Sequence, residues 1–183
     1  TTWSRGLGDV YKRQIADIGI IGLPNAGKSS LLASVTNANP KIANYQFTTL
    51  NPNLGVASYD DKEITIADIP GLVEGAHKGT GLGIQFLKHI ERCKSLLHLI
   101  DITSEDLKKS YQQVKNELKK YSNKLTKKKE LIVLNKIDLI DEKEVNHIIK
   151  DFKKNTKSEV IALSTFNKSS VSKIKSKLLN YVS

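Results

Sequence analysis

The chain has 183 residues, of which 39% are hydrophobic, and its 29 basic and 19 acidic side chains give a formal charge of +10. This length suits one domain with a sizeable core and short appendages, and it is too short for two ordinary domains. No apolar run approaches the roughly 20 residues that a helix needs to cross a bilayer, and no charged and then apolar leader opens the chain. We therefore expect a cytoplasmic protein with no membrane partner.

Much of the positive charge lies in lysine-rich segments with the pattern of helices, such as residues 119–130. Two explanations remain open for it. The lysines form a solvated face, or they form a surface that meets a polyanion, because dispersed lysines favour phosphate backbones without reading their sequence.

The first fourteen residues, TTWSRGLGDVYKRQ, show no hydrophobic period and no credible helix cap. Their last six residues resemble the in-frame translation of a sequencing adapter, and such scars are excluded from fold reasoning. A natural disordered basic tail is the alternative. We expect residues 1–14 to be a non-native segment and residues 15–183 to form the domain. Since the chain contains no Met, we also expect that a natural N-terminal part is missing.

After residue 14, short apolar runs alternate with longer amphipathic runs, which is typical of a parallel sheet with helices on both faces. The predicted strands are residues 15–22, 54–60, 63–68, 95–101, 130–135 and 159–164. The predicted helices are residues 29–35, 84–93, 104–121, 142–153 and 171–182. The link between the second and third strands permits only a hairpin. We therefore predict an α/β fold with a six-stranded, mostly parallel sheet that contains one antiparallel strand.

Local signals add detail to these elements. Thr103 or Ser104 is predicted to cap the third helix, whose first turn would hold Glu105 and Asp106. The single cysteine, Cys93, has no matching ligand for a metal site, and we predict a buried thiol at a helix end. The histidines at positions 77, 89, 98 and 147 are scattered, and for each we predict a packing or surface role.

Two long segments, residues 36–53 and 70–83, are rich in Pro, Asn or Gly and lack periodicity. Long segments without regular structure inside a compact domain are usually functional loops. We therefore expect both to belong to a functional site.

The sequence GLPNAGKS, residues 22–29, fits the phosphate-binding pattern G-x-x-x-x-G-K-[ST]. It lies between a predicted strand and a predicted helix, which is the context that a P-loop requires. The glycines let the amides of residues 25–30 point at phosphate oxygens, aided by the N-terminus of the helix. We expect Lys28 to bridge the terminal phosphates and Ser29 to bind Mg²⁺.

A second motif, DIPG, begins at Asp68, where P-loop proteins place the acid that holds magnesium. We expect Asp68 to contact the direct ligands of the metal and not the metal itself. The amide of Gly71 could contact a terminal phosphate only when one is present, so the segment after it would act as a sensor.

A third motif, NKID, residues 135–138, follows a predicted strand. The carboxylate of Asp138 could accept paired hydrogen bonds from the ring N–H and the exocyclic amine of guanine, which adenine cannot offer in that arrangement. A site with such an acceptor rejects a base that leaves it unpaired. We expect Asn135 to tie this loop to the P-loop and the Lys136 stem to lie over the base.

With these motifs, the chain from Ile15 to its end resembles the GTPase domain of the Obg family. The matching stretches are GLPNAGKSS, NYQFTTLNPNLG, DIPGLVEGAHKGTGLG, FLKHIERC and NKID. The resemblance implies that Thr49 completes the magnesium shell and that Ser164, Thr165 and Phe166 form the last guanine loop. That loop departs from the usual Ser-Ala pair at Thr165. The family's glycine-rich N-terminal domain, which would precede Ile15, is absent from the sequence.

The hydrolytic step raises a further question, because Ras-like enzymes orient water with a Gln where this chain has Leu72. In several GTPases with an apolar residue there, an Asn in the P-loop helps to hold a potassium ion. Asn25 stands at that place, so we hypothesise a K⁺ site beside the Mg²⁺ site. The alternative is that Asn25 merely stabilises the loop.

The motifs predict a switch that binds GTP and GDP and hydrolyses GTP slowly. By the resemblance, we expect it to act as a monomer on the large ribosomal subunit or its rRNA. A nucleotide-gated binding module with negligible turnover is the alternative, and an ATPase or kinase is disfavoured by NKID. Lys28, Thr49, Gly71 and Asn25 are expected to act in hydrolysis. The residues expected to contact the nucleotide are Gly22, Leu23, Pro24, Asn25, Ala26, Gly27, Lys28, Ser29, Phe47, Thr48, Thr49, Leu50, Asp68, Ile69, Pro70, Gly71, Asn135, Lys136, Ile137, Asp138, Ser164, Thr165 and Phe166.

Overall fold

The structure, a computed structural model, describes residues 16–37, 39–42, 52–68, 87 and 90–182. The strands in this part of the chain are β1 Ile18–Ile21, β2 Lys41–Ile42, β3 Asn53–Tyr59, β4 Lys62–Asp68, β5 Ser95–Asp101, β6 Lys129–Asn135 and β7 Glu159–Ala162. The helices are α1 Lys28–Val35, α2 Leu107–Tyr121, α3 Asn123–Thr126, α4 Glu142–Asn155 and α5 Lys168–Val182, with a 3₁₀ turn at Ile137–Leu139. Half of the predicted helix over residues 84–93 lies outside the described residues.

The strands form one sheet in the order β2-β3-β4-β1-β5-β6-β7. From β4 to β7 all neighbours are parallel, whereas β3 is antiparallel to both β2 and β4. The predicted α/β fold with one antiparallel strand is therefore confirmed. The strand β2 is an addition to the six predicted strands, because two residues are too few to show an alternating pattern.

The hairpin between β3 and β4 is also confirmed. Its turn residues, Asp60 and Asp61, have φ angles of 48° and 59°. Positive φ at both central positions is characteristic of the type I′ hairpin turn, whose backbone follows the right-handed twist of the strands.

Helices cover both faces of the sheet. On one face, α1 and α5 bury Leu31, Leu32 and Ile174 against β1 and β4. On the other face, α2 and α4 bury residues such as Leu118 and Phe152. The strands β1, β5 and β6 consequently read as nearly continuous apolar runs, as strands covered on both sides do.

The helix α2 begins later than the sequence predicts, and the predicted cap was wrong. The side chain of Asp106 caps the helix by accepting a hydrogen bond from Lys109 N at 2.8 Å. Thr103 is engaged elsewhere, since its amide and hydroxyl donate to Asp101 Oδ1 at 2.9 and 2.6 Å. This side-chain turn holds the chain out of helical geometry until Asp106.

Two predictions for single residues are confirmed. Cys93 is a buried thiol, and burial raises its pKa to about 12. His98 has a packing role, since it is 1% exposed and its ring stacks on Tyr111 with 5.2 Å between centroids.

The buried side chain of Glu130 organises polar contacts around His98 at the start of β6. His98 Nδ1 lies 2.9 Å from Glu130 Oε1, and Lys115 Nζ donates to Oε2 at 3.0 Å. Burial raises the pKa of Glu130, but the hydrogen bonds and charges of His98 and Lys115 outweigh it and bring the pKa to about 2. Glu130 is therefore a buried carboxylate that stays ionised.

The parallel sheet gives the molecule two distinct edges. At the carboxyl edge, the P-loop follows β1, Asp68 ends β4, Asp101 ends β5 and Asn135 ends β6. At the amino edge, these strands begin and the helices α2 and α4 end. None of the helices in the described residues is both long and apolar enough to cross a membrane.

Candidate functional site

The P-loop connects β1 to α1, and two of its glycines are needed because of their surroundings. A Cβ on Gly22 would lie 2.3 Å from the Leu99 carbonyl oxygen of β5. Gly27 has a φ of 95°, and a Cβ there would lie 2.5 Å from Asn135 Nδ2. Only glycine allows the loop to curl this closely against the sheet.

Lys28 opens α1 and lies across the loop. Its Nζ donates to the carbonyl oxygens of Gly22 and Leu23, both at 3.0 Å. Burial lowers the pKa of Lys28, and the Asp68 carboxylate opposes that shift. The ammonium group is thus held over the loop by weak acceptors that a phosphate could replace.

Ser29 and Asp68 meet in the structure although they lie 39 residues apart. Ser29 Oγ donates to Asp68 Oδ2 at 2.8 Å, and Asp68 is 2% exposed. Within the described residues, Asp68 Oδ1 is buried without a hydrogen-bond partner. A buried carboxylate with an open acceptor beside a hydroxyl is an oxygen donor set that suits Mg²⁺, so these residues fit the predicted ion.

The described residues contain no group of three or more His, Cys, Asp or Glu side chains that could hold a metal on their own. A magnesium ion at Ser29 would therefore need ligands from outside this set, and Thr49 is predicted to be one of them. Thr49 lies outside the described residues.

The NKID loop follows β6 and is bound to the P-loop. Asn135 Nδ2 donates to the Ala26 carbonyl oxygen at 3.0 Å in a buried position. The link between the two loops that the sequence predicts is therefore present. Asn135 Oδ1 is buried and has no partner among the described residues, which leaves an acceptor available at the junction.

Lys136 adopts a left-handed backbone, with a φ of 69°, and it is held by a residue that the sequence argument missed. Its Nζ lies 2.6 Å from Asp101 Oδ2 at the end of β5. Burial raises the pKa of Asp101. Hydrogen bonds from Lys136 and Thr103 lower it by a larger amount, so the net pKa lies below its ordinary value. Asp101 thus anchors the predicted base-stacking lysine as a carboxylate.

A sequence signal for Asp101 existed. It ends a predicted strand, as Asp68 and Asn135 do, and the carboxyl ends of parallel strands share one edge. What the pattern did not supply was its partner, because Lys136 is 35 residues away.

The remaining predicted base loop lies beside NKID. Ile137 N donates to the Leu163 carbonyl oxygen at 3.4 Å, which joins the two loops. Ser164 is buried, and its hydroxyl accepts from Phe166 N at 3.3 Å. The side chain of Phe166 is 86% exposed, and Asp138 is also exposed.

The structure therefore brings together the P-loop, Asp68, NKID and Ser164–Phe166 at one edge. Asn25 belongs to the P-loop with a φ of 64° and an exposed side chain. The other predicted residues lie outside the described part of the chain, and their roles stay predictions: Phe47, Thr48, Thr49, Leu50, Ile69, Pro70 and Gly71.

The fold is shared with solved structures of low sequence identity. The G domain of the T. maritima FeoB iron transporter superposes with a TM-score of 0.67 at 20% identity, over 91% of this chain and 98% of that one. At this level of identity the likeness establishes the fold alone.

Sequence comparison identifies the family. The profile of the 50S ribosome-binding GTPase family matches residues 17–136. Among curated proteins, GTPase Obg of Pelagibacter ubique is 74% identical over 171 residues, and GTPase Obg of Rickettsia felis is 54% identical over 160 residues. These matches cover 93% and 87% of this chain but 52% and 48% of the relatives, so the chain spans about half their length. The chain belongs to the 50S ribosome-binding GTPases and has an Obg-type GTPase domain.

Proposed function

We propose that the chain binds guanine nucleotides at the carboxyl edge of the sheet and hydrolyses GTP to GDP and phosphate. The observation that carries this proposal is the buried hydrogen bond from Asn135 to Ala26 O, at 3.0 Å. It joins a loop with the chemistry to read guanine to a loop with the chemistry to hold phosphates. Family membership supports the same conclusion.

The P-loop would position the phosphates. Lys28 would exchange the carbonyls of Gly22 and Leu23 for phosphate oxygens, which are stronger acceptors because they are charged. The loop amides and the start of α1 would add further donors. Phosphoryl transfer needs mainly this positioning and neutralisation, since the protein does little covalent chemistry.

Ser29 and Thr49 are proposed to hold Mg²⁺, with Asp68 fixing the Ser29 hydroxyl. When bound, the ion would neutralise charge on the terminal phosphates. In this arrangement the contribution of Asp68 is to orient Ser29 Oγ from a buried position, 2.8 Å away. S29A should therefore lower Mg²⁺-dependent affinity for GTP without changing the fold.

Selectivity for guanine would come from the exposed carboxylate of Asp138. The test is isothermal titration of GTP, GDP, ATP and XTP with the wild type and with D138N. We expect GTP and GDP to bind the wild type, ATP not to bind, and D138N to prefer XTP. Unchanged GTP affinity in D138N would remove this residue from the base pocket.

Turnover is proposed to be slow without a partner, on the order of 10⁻⁴ per second as in unassisted small GTPases. Leu72 cannot donate or accept the hydrogen bond that orients water. We propose that K⁺ held near Asn25, or a partner, supplies the missing help. Equal rates in potassium and sodium buffers, with and without ribosomal particles, would exclude the potassium site.

The alternative is a nucleotide-gated binding module with negligible turnover. Single-turnover assays with an excess of protein over labelled GTP separate the two. A rate above that of uncatalysed hydrolysis supports the enzyme, and a rate equal to it supports the binding module.

The proposed partner is the large ribosomal subunit in the cytoplasm, with residues 36–53 and 70–83 ordering around GTP and relaxing after hydrolysis. The family description supports this partner. Co-sedimentation with large subunits in GDP and in a non-hydrolysable GTP analogue tests it, and we expect more binding with the analogue.

We further propose that the chain is a monomer and that residues 1–14 take no part in nucleotide binding, so their deletion should leave GDP affinity unchanged.

A further inference from the structure

A lysine-rich surface lies at the amino edge of the sheet, away from the P-loop and the NKID loop. It forms where α2 passes through α3 into β6, and where α4 passes into β7. We call it the lysine face and define it by five exposed lysines: Lys119, Lys124, Lys127, Lys154 and Lys157.

The two parts of this face are joined at the start of β6. Ser158, next to Lys157, donates from its hydroxyl to Glu130 Oε2 at 3.2 Å. The neighbouring strands β6 and β7 begin in register there, with Leu131 opposite Glu159. The lysines of the α4 to β7 connection therefore adjoin the start of β6, and those of the α2 to β6 connection lead into it.

Several acids near this edge are already neutralised. Asp17 pairs with Lys94 at 3.2 Å, Glu117 pairs with Lys120 at 3.1 Å, and Glu159 pairs with Lys177. Glu130 is buried against His98 and Lys115. Within the described part of the chain, the five lysines of the lysine face form no ion pair, so their charge is available to an external partner.

Helix dipoles explain only part of this charge. Lys119 and Lys154 lie in the last turns of α2 and α4, where a cation is stabilised by the partial negative charge of the helix C-terminus. Lys124 and Lys127 belong to or follow α3, a four-residue helix with little dipole, and Lys157 lies outside any helix. These three lysines gain no comparable stabilisation from a long helix.

The carboxyl edge has a mixed charge character. Around the starts of α2 and α4, exposed acids alternate with exposed lysines: Glu105, Asp106, Lys108, Lys109, Asp141, Glu142, Lys143 and Glu144. Positive charge without an ion-pair partner is more concentrated on the lysine face, which should therefore attract an extended polyanion and orient it before contact.

We propose that the lysine face binds the phosphate backbone of a structured RNA and leaves the nucleotide site open. This inference rests on the proposed ribosomal partner for the choice of RNA among polyanions. Lysine ammonium groups act as point charges and lack the planar fork that reads bases, so the contacts would fix position without reading sequence.

The experiment is fluorescence anisotropy of the full chain with a labelled RNA duplex of mixed sequence, over a series of salt concentrations. The variant K119Q/K124Q/K127Q removes three charges from the lysine face. The matched control, K109Q/K143Q/K173Q, removes three exposed lysines from other surfaces. Circular dichroism and GDP affinity, measured on the same samples, verify that both variants are folded.

We expect the first variant to bind RNA about tenfold more weakly and its salt slope to fall by about 2 to 3, while the control keeps the wild-type slope. Equal losses in both variants would mean a general charge effect and would overturn the proposal, as would no loss in either. A loss for anionic vesicles but not for RNA would also overturn it. If the wild type fails to bind GDP or GTP, the proposed function fails on that measurement alone, whereas the RNA data judge the lysine face.

Discussion

The two edges of the sheet differ in how they are built. At the carboxyl edge, side chains distant in sequence meet at fixed distances, as Ser29 with Asp68 at 2.8 Å and Lys136 with Asp101 at 2.6 Å. At the amino edge, the lysine face consists of exposed side chains without ion pairs among the described residues. One edge depends on where each atom lies, and the other depends on how many charges are present.

This difference predicts different responses to substitution. Loss of one group at the carboxyl edge leaves buried partners unsatisfied, so single changes there should have large and coupled effects. Loss of one lysine from a solvated surface removes one charge of several, so the effects should be small, additive and dependent on salt.

The largest effect is expected for K28M. Removing the cation that is proposed to face the terminal phosphates should reduce GTP hydrolysis by about 100-fold or more, the usual range for one preorganised electrostatic group. Single-turnover assays measure this, with K109M as the control for loss of an exposed lysine. A K28M rate within threefold of the wild type would show that the carboxyl edge does not depend on this position.

The next effect concerns Glu130, a buried residue at the amino edge. Its contacts are specific and buried, so a single substitution there should have a large effect, as at the carboxyl edge. Its pKa is about 2 in the folded chain against an ordinary 4.5. Its charge therefore stabilises the fold above about pH 4.5, and this contribution is lost as the pH falls toward 2. We expect E130Q to lower the free energy of unfolding by about 1–3 kcal/mol at pH 7, because it leaves the half-buried ammonium group of Lys115 without its carboxylate partner.

Urea unfolding of wild type and E130Q between pH 7 and pH 3 tests this. The difference between them should shrink on acidification through pH 4.5. The exposed E144Q serves as the control and should change stability by less than about 0.5 kcal/mol. A difference between E130Q and wild type that is constant with pH would contradict a stabilising carboxylate.

A smaller effect is expected for Asp101, which is proposed to act on the nucleotide through its contact with Lys136. D101N should weaken GDP binding by about tenfold, because a charge-assisted hydrogen bond is worth about 1.5–3 kcal/mol and part of this orients the lysine. A double-mutant cycle with K136M measures the coupling. Additive losses would indicate that Asp101 acts independently of Lys136.

D101N also separates positioning from base selection. The Lys136 stem would lie over the ring of any purine, so D101N should weaken GDP, IDP and XDP alike. By contrast, D138N should change which of the three nucleotides binds most tightly. If D101N changes the order of the bases, Asp101 acts on the edge of the base and not through Lys136.

The smallest effect is expected for one residue of the lysine face. K124Q should weaken RNA duplex binding by about twofold and reduce the salt slope by about 1. The loss should be the same with GDP and with a non-hydrolysable GTP analogue, since the described contacts of this face do not reach the P-loop. A single substitution that abolishes RNA binding would show that this face also depends on position.

The sequence predicted the elements well where the pattern is long. Strands covered on both sides, such as β5 and β6, were found because seven residues give a clear apolar run. The sequence pattern did not predict β2, which has two residues, and it placed the start of α2 too early. The Asp101 side chain binds Thr103, and the helix begins only at Leu107, with Asp106 as its cap.

The residues of the candidate site divide in the same way. The sequence pattern selected Gly22, Lys28, Ser29, Asp68 and Asn135, which the structure places at one edge, because their spacing and flanking elements are a local property of the chain. Asp101 was missed because its role exists only through Lys136, and no local pattern records that contact.

By itself, the sequence determined the order of strands and helices, the residue types at the ends of the strands and the excess of lysine, because these depend on spacing and composition alone. The tertiary structure decided which of those ends meet, which acids are neutralised and where the remaining charge lies. Parallel strands bring carboxyl ends to one edge and helix ends to the other. The same chain therefore presents a site built from specific side-chain contacts at one end and a positively charged surface at the opposite end.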